Sequence, residues 1–252
     1  MESLTPYLLP ILQIIWIDLL LSGDNAVVIA LACRSLPEKQ RRVGMILGAG
    51  TAIGLRIIFA IFITYLLGVP FLKVIGGLLL LWIGVKLAMG EEDEGHAVES
   101  SDNLWRAVRT IAIADAVMSL DNVVAIAAAS GGNIWLFIFG LLLSIPLIVF
   151  GSTLLSTVID KFPVIVWAGA ALLGWIAGEM IVSDAFVMGW ISGFHASYIK
   201  SVMESDGHGG TTAITKPIAS IFYGAAAVGA AVVILIASVT KSRKDAGSGH
   251  AA

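Results

Sequence analysis

Long apolar segments are the feature that most restricts the fold of this chain. Only α-helices and closed β-barrels satisfy every backbone hydrogen bond inside a bilayer, and a spanning helix needs about 20 mostly apolar residues. Charged residues make up only 13% of the sequence, whereas soluble domains have about 25%. The sequence therefore predicts an all-α polytopic membrane protein with seven transmembrane helices, at 8–32, 43–68, 71–90, 106–130, 133–157, 164–184 and 218–239.

The first apolar segment carries an acidic motif at 18–32, and the fourth repeats it 97 residues later, at 115–129. In each copy an aspartate, a serine and an asparagine follow the spacing i, i+4, i+7, which places them on one helical face. A second aspartate in each copy lies off that face. Local unwinding at Gly23 would bring Asp24 onto it, and Leu120 predicts a milder break in the second copy. The matched sets are Asp18, Ser22, Asp24, Asn25 and Asp115, Ser119, Asp121, Asn122.

The similarity between the two halves extends beyond the motif. Gly54 matches Gly151 at the same offset, and Trp82 matches Trp175 at an offset of 93 residues. Three helices are therefore repeated, and because three is odd, the second copy must enter the membrane from the opposite side. Inverted repeats of this kind place transport sites near the midplane where the halves meet. We predict a first repeat at 1–90, an acidic cytoplasmic linker at 91–105, a second, inverted repeat at 106–184, an extracytoplasmic loop at 185–217, a seventh helix at 218–239 and a cytoplasmic tail at 240–252.

The distribution of Lys and Arg predicts the orientation, because cytoplasmic loops are enriched in these residues. With the N-terminus outside, eleven of the fifteen lie in cytoplasmic segments. Three lie outside, namely Lys73, Lys200 and Lys216, and Arg56 falls within a helix. We therefore expect an external N-terminus and a cytoplasmic C-terminus.

Four carboxylates inside a membrane need a compensating positive charge. Each Asp costs roughly 2.5–3.5 kcal/mol at the bilayer centre even on the insertion scale. The two motifs offer four carboxylates, two asparagine amides and two hydroxyls, with no convergent Cys or His pair. Oxygen ligands suit hard divalent cations such as Mg²⁺, Ca²⁺ or Mn²⁺. A lone Asp could instead cap a broken helix, but four at repeated positions favour an ion site.

Several other residues have two interpretations each. Ser22 and Ser119 could be ligands or could bond back to a carbonyl in their own helix. Arg56, whose repeat counterpart is Thr153, could be a counter-charge to one Asp in the ion-free state or could extend to the interface. Glu179 could line the outward path or be a solvated interfacial carboxylate. The small-residue pairs Gly44/Gly48, Gly50/Gly54 and Gly174/Gly178 predict close helix packing. Cys33 is expected to be an inert packing residue.

The pattern Asp-x-x-x-Ser-Gly-Asp-Asn-Ala-Val-Val-Ile-Ala at 18–30 and its twin at 115–126 resemble the paired signatures of the TerC family of integral membrane proteins. The stretch 174–184 is similar to the YjbE-like bacterial branch of that family, within the LysE exporter superfamily. The resemblance covers 8–184 and implies Mn²⁺ export across the bacterial inner (plasma) membrane, with the ion as substrate and no prosthetic group. The ligands that it implies are Asp18, Asp24, Asn25, Asp115, Asp121 and Asn122.

The leading hypothesis is thus a secondary transporter and not an enzyme, working by alternating access, with proton antiport as a possible coupling. Its expected partners are a divalent metal ion and the lipid bilayer, with no nucleic acid. One rival is an intramembrane aspartyl hydrolase, in which two Asp share a proton. Another is an exporter of a different small solute, whose carboxylate four Asp would repel. The sequence leaves the choice among Mn²⁺, Ca²⁺ and Mg²⁺, the coupling ion and the oligomeric state open.

Overall fold

The computed structural model describes residues 23–66, 69, 71–90, 100–129, 134–205 and 211–248. Within these residues the chain forms eight α-helices, one short 3₁₀ turn and a two-stranded hairpin. The helices are α1 (Gly23–Ala32), α2 (Glu38–Leu66), α3 (Leu72–Met89), α4 (Ser100–Ala129), α5 (Ile134–Lys161), α6 (Val164–Val182), α7 (Ala185–Phe194) and α8 (Ala219–Ser248). The strands are β1 (Ile199–Ser205) and β2 (Thr211–Pro217).

Five of the described helices are long and apolar enough to cross a membrane: α2, α3, α5, α6 and α8. The described part of α1 is a shorter apolar helix of 10 residues. Residues 8–22 of the predicted segment 8–32 lie outside the described residues. The helix α4, which carries the second acidic motif, has 30 residues. The prediction of an all-α polytopic membrane protein is confirmed, whereas the count of seven spans stays a prediction.

The contacts between helices correspond between the two halves of the chain. The first motif helix, α1, packs on α5, and its counterpart α4 packs on α2. In the predicted repeat, α3 corresponds to α6 and α2 corresponds to α5. The members of each pair are in contact with each other, as a symmetric arrangement of the two halves would require. The contact of α3 with α4 likewise has its counterpart between α6 and α1. This pattern is what two three-helix repeats would produce; the repeats and the inversion of the second copy stay predictions.

Two repeat-related glycines show the correspondence at atomic scale. A Cβ atom built on Gly76 of α3 would lie 2.8 Å from Val117 of α4. One built on Gly169 of α6 would lie 2.7 Å from Leu31 of α1. Each glycine thus leaves room for a side chain of the other half's motif helix, and a larger residue would force that side chain to move. The buried apolar core draws on all six helices from α1 to α6.

The helix α8, which has no repeat partner, packs along α6 through small residues. A Cβ on Gly174 would lie 2.5 Å from the carbonyl oxygen of Gly229, and a Cβ on Gly178 would collide with the backbone of Ala225. The predicted role of Gly174 and Gly178 in close helix packing is therefore confirmed. The same prediction is wrong for Gly50 and Gly54, since a Cβ built on either would meet no described atom within 4 Å. This seam fixes the last helix against the second repeat.

The region 185–217, predicted as a loop, is largely structured. Asp184 caps α7 by accepting a hydrogen bond from the backbone N–H of Phe186 at 2.9 Å. The exposed aromatic residues Phe186, Trp190 and Phe194 share one face of that helix at i, i+4, i+8. The strands β1 and β2 then pair antiparallel. Sequence analysis did not predict this hairpin, because its two short strands are polar and lie between strongly apolar helices.

Candidate functional site

A buried ion pair joins α2 to α4 in the core of the protein. The guanidinium Nη2 of Arg56 donates to Oδ1 of Asp115 at 2.8 Å, and its Nε donates to Oγ of Ser119 at 3.1 Å. The hydroxyl of Ser119 in turn donates to Oδ2 of Asp115 at 2.8 Å. Both oxygens of the Asp115 carboxylate therefore accept a hydrogen bond, and the three side chains form a closed triangle.

The triangle follows from the spacing in the sequence and from the packing of α2 on α4. Asp115 and Ser119 are four residues apart, so they lie one turn apart on the same face of α4. That face meets α2, where Arg56 is only 1% exposed. An isolated charge at such a position would be very unfavourable, so the opposite charge and the hydroxyl are needed together. Ser119 therefore bonds a carboxylate and not the carbonyl of its own helix.

The first motif contributes Asp24 and Asn25 from the first turn of the described part of α1. The carboxylate of Asp24 accepts a hydrogen bond from the backbone N–H of Asn25 at 2.7 Å. It is also near enough to Arg56 and Asp115 to interact electrostatically with both. Asp24 of the first half therefore lies within electrostatic range of the triangle that Arg56 of the first half forms with Asp115 and Ser119 of the second.

Asn25 is the most unusual polar group in this region. Its side chain is 3% exposed, yet neither Oδ1 nor Nδ2 finds a hydrogen-bond partner among the described residues. A buried amide without partners costs about 1–3 kcal/mol. A buried polar group without a partner needs an explanation, and an ordered water or a bound ion is one of those that apply.

Some predicted site residues cannot be placed. Asp18 and Ser22 lie outside the described residues. Asp121 and Asn122 lie in α4, where the structure describes the helix but not their side chains. Because α4 is continuous from Ser100 to Ala129, position 121 lies about 120° around the helix axis from position 115. The break considered for the second copy is absent from α4, so in this conformation position 121 lies off the face of Asp115. Asp121 would share an ion with Asp115 only if α4 unwound locally.

Glu179 is not joined to the charged triangle by any contact among the described residues. Its Oε1 accepts a hydrogen bond from the indole Nε1 of Trp175, one turn earlier in α6, at 2.8 Å. The ring of Trp175 lies 6.2 Å from that of Tyr223 on α8. Glu179 therefore belongs to the contact between α6 and α8, and its role on the ion path stays a prediction.

Among the side chains that the structure describes, no three from His, Cys, Asp and Glu come together in a group able to hold a metal ion. Of the four motif carboxylates, the structure describes the side chains of Asp24 and Asp115. A hard divalent cation usually takes six or more oxygens, so these two would need further ligands to bind one. Asn25 offers one carbonyl oxygen. By the repeat, the remaining acidic candidates are Asp18 and Asp121.

Sequence analysis missed a second connection between the halves. Arg41, at the start of α2, forms an ion pair with Asp160 near the end of α5 and donates to Ser156 at 3.3 Å. It also donates to the backbone carbonyl of Arg34 at 2.8 Å. In the sequence Arg41 was informative only for orientation, since Ser156 and Asp160 are more than 100 positions away from it. This network ties the two repeats together at one end of the bundle.

The comparison with known proteins agrees with this architecture. The profile of the integral membrane protein TerC family matches residues 3–245. The chain belongs to the TerC family. The family resemblance inferred from the doubled motif is thus confirmed, and this TerC protein is a multi-pass integral membrane protein.

Individual relatives are bacterial. This TerC protein is 48% identical over 178 residues to the uncharacterized membrane protein YjbE of Bacillus subtilis, an alignment that covers 71% of this chain and 81% of the relative. It is 31% identical over 170 residues to the uncharacterized membrane protein YceF of the same organism, covering 64% of this chain and 66% of YceF. No solved structure matches the TerC chain.

Proposed function

We propose that this protein is a secondary transporter that exports a divalent metal cation, with Mn²⁺ as the first candidate substrate. The ion would bind between the two motif helices, α1 and α4, near the middle of the membrane. The coordinating groups proposed are Asp18, Asp24, Asn25, Asp115, Asp121 and Asn122. Water molecules or backbone carbonyls would complete the coordination shell.

The observation that carries the proposal is the unpartnered amide of Asn25. It lies next to Asp24, which is itself in electrostatic range of Asp115. An oxygen-rich buried site of this kind favours hard cations over metals that prefer thiolates. The family membership supports a membrane function of this type without defining the ion.

Arg56 supports a cycle in which an internal cation replaces the metal. While the guanidinium is paired with Asp115, it neutralises one carboxylate at 2.8 Å. A divalent ion that binds Asp24 and Asp115 would compete with Arg56 for the same carboxylate. Proton uptake by an aspartate would balance the charge on the return step, so we include proton antiport in the proposal.

The rival hypothesis of an aspartyl hydrolase fits the geometry less well. Its mechanism needs two carboxylates that share one proton. Both oxygens of Asp115 are instead engaged, one by Arg56 and the other by Ser119. An exporter of an anionic solute would place its substrate beside the carboxylate of Asp24, which disfavours that hypothesis as well.

Transport by the purified protein tests the proposal. The full chain would be reconstituted in vesicles that enclose a metal-sensitive dye, and Mn²⁺, Ca²⁺ and Mg²⁺ would be added separately. We expect Mn²⁺ flux above that of protein-free vesicles, and a change in its rate when the pH gradient is collapsed. Absence of flux for all three ions would contradict the transporter hypothesis, and flux indifferent to the pH gradient would contradict only the proton coupling.

A further inference from the structure

A cavity lies at one end of the helix bundle, away from the acidic motifs. Its volume is about 330 Å³, which falls within the size range of small-molecule pockets. Its walls come from four places in the chain: Arg34 after α1, Gly90 after α3, Pro163 and Trp167 at the start of α6, and Lys241 in the last part of α8. The pocket therefore exists only when both repeats and α8 are assembled.

The charge of the pocket is positive. Arg34 and Lys241 are two of its lining residues, and none of the lining residues that the structure describes is acidic. Arg34 is half-buried and has no carboxylate partner among the described residues. Burial lowers the pKa of its guanidinium, as expected for a desolvated cation with no opposite charge beside it.

Both cations have a specific neighbour. Gly90 has a φ of 74°, and a Cβ built there would lie 2.6 Å from Nη2 of Arg34, so a larger residue at position 90 would force the end of the Arg34 side chain to shift. The ammonium of Lys241 lies 5.9 Å from the centre of the Trp167 ring, within cation–π range. A guanidinium and an ammonium that face one cavity are well suited to bind phosphate oxygens.

We propose that this pocket binds a phosphate group, supplied by the headgroup of an anionic membrane lipid. Trp167 favours the lipid source, since tryptophan side chains concentrate at the level of the headgroups. The orientation predicted from the Lys and Arg distribution places this end at the cytoplasmic leaflet, where anionic lipids interact with basic side chains. Binding there would link α1, α3, α6 and α8, and it is independent of the proposed metal site.

Lipid binding to the full-length protein in neutral detergent tests the proposal. Native mass spectrometry would measure retention of phosphatidylglycerol against phosphatidylcholine, with inorganic phosphate as the soluble competitor. We expect wild-type protein to retain phosphatidylglycerol preferentially, and the double variant R34Q/K241Q to bind it at least about tenfold more weakly. Arg243→Gln, which removes a charge from an exposed residue of α8 outside the pocket, should bind within about twofold of wild type.

Gly90→Ala separates local geometry from net charge, because it displaces the Arg34 guanidinium and leaves every charge present. We expect it to weaken phosphatidylglycerol binding, and its melting temperature in the same neutral detergent would show that it is folded. Displacement of the lipid by inorganic phosphate would support a phosphate site and show that a soluble anion can fill it. Equal phosphatidylglycerol binding by wild type and R34Q/K241Q would overturn the proposal.

The chain continues from Gly90 into the acidic run 91–94, whose carboxylates are the alternative occupant of a basic pocket. A variant with those four residues changed to Gln or Asn distinguishes the two. If wild type binds no anionic lipid and the neutralised variant binds it strongly, the acidic run is the occupant and the lipid proposal is wrong. If wild type and the neutralised variant retain phosphatidylglycerol equally well, the acidic run does not compete for the pocket, as the lipid proposal expects.

Discussion

Arg56 of α2 and Asp115 of α4 form an ion pair of 2.8 Å in the core, with side chains only 1% and 3% exposed. The repeat counterpart of Arg56 is Thr153, which donates instead to the backbone carbonyl of Val149 in its own helix. The two halves thus correspond in packing but differ in charge. Under the proposed function, this asymmetry would leave one motif aspartate neutralised by the protein itself when no metal is bound.

Replacing Asp115 by Asn should destabilise the protein more than replacing both partners of the pair. Breaking a buried ion pair from one side costs about 3–5 kcal/mol, because the other charge stays buried opposite a neutral group. In detergent micelles we expect the melting temperature of Asp115→Asn to fall clearly, and that of R56Q/D115N to recover part of the loss. Identical melting of Asp115→Asn and wild type would show that the pair contributes nothing to stability.

Cys33 should be unreactive in the folded protein. Its side chain is 0% exposed, and burial raises the pKa of the thiol to about 12. The reactive thiolate is therefore a fraction of roughly 1 in 10,000 at pH 8. N-ethylmaleimide should leave the folded protein unmodified between pH 7 and 9 and label it after denaturation in sodium dodecyl sulfate, as read by intact mass. Full labelling without denaturant would contradict this expectation.

Because Cys33 should be unreactive, the orientation of the protein in the membrane can be tested without replacing Cys33. A cysteine introduced by Ser3→Cys should react with a membrane-impermeant maleimide added outside intact cells, because the distribution of Lys and Arg predicts an external N-terminus. Wild-type protein, which has Cys33 alone, is the control. Protection of the new cysteine until the cells are opened would reverse the predicted orientation.

The seam between α6 and α8 should be intolerant of added methyl groups. A Cβ on Gly229 would collide with the backbone carbonyl oxygen of Gly174, which cannot move unless the two helices separate. We expect Gly229→Ala to cost about 1–3 kcal/mol, seen as a lower melting temperature. Gly224→Ala on the same helix is the matched control, since no atom lies within 4 Å of its added Cβ. Equal melting of the two variants would argue against tight packing at this seam.

The sequence predicted the helices best where proline or a sharp polarity change ends them. The predicted segments 71–90 and 164–184 correspond closely to Leu72–Met89 and Val164–Val182. The helix α4 begins at Ser100, before the predicted 106, because a helix can extend past its apolar stretch into water. Hydropathy detects only the apolar part. The hairpin of β1 and β2 was missed because strand pairing depends on a partner that periodicity in one segment does not reveal.

The site was predictable as a set of residue types but not as a set of pairs. Spacing alone placed Asp115 and Ser119 on one face, and their hydrogen bond follows from it. The position of Arg56 within an apolar helix also indicated that it could pair with an aspartate. The sequence could not show which of the four aspartates pairs with Arg56, because that choice depends on how α2 crosses α4. The proximity of Asp24 to Asp115 depends on tertiary packing in the same way.

Efflux of Mn²⁺ by aspartate variants tests the central claim most directly. Asp24→Asn keeps the size of the side chain, lies outside the Arg56 pair and removes one proposed ligand charge, and Asp121→Asn makes the equivalent change in the other repeat. Glu38→Gln, at an exposed position at the start of α2, is the matched control. In vesicles containing folded protein, we predict that both aspartate variants reduce Mn²⁺ flux by about 10–100-fold and that Glu38→Gln transports like wild type. Wild-type flux through Asp24→Asn and Asp121→Asn would contradict a metal site built from the two motifs.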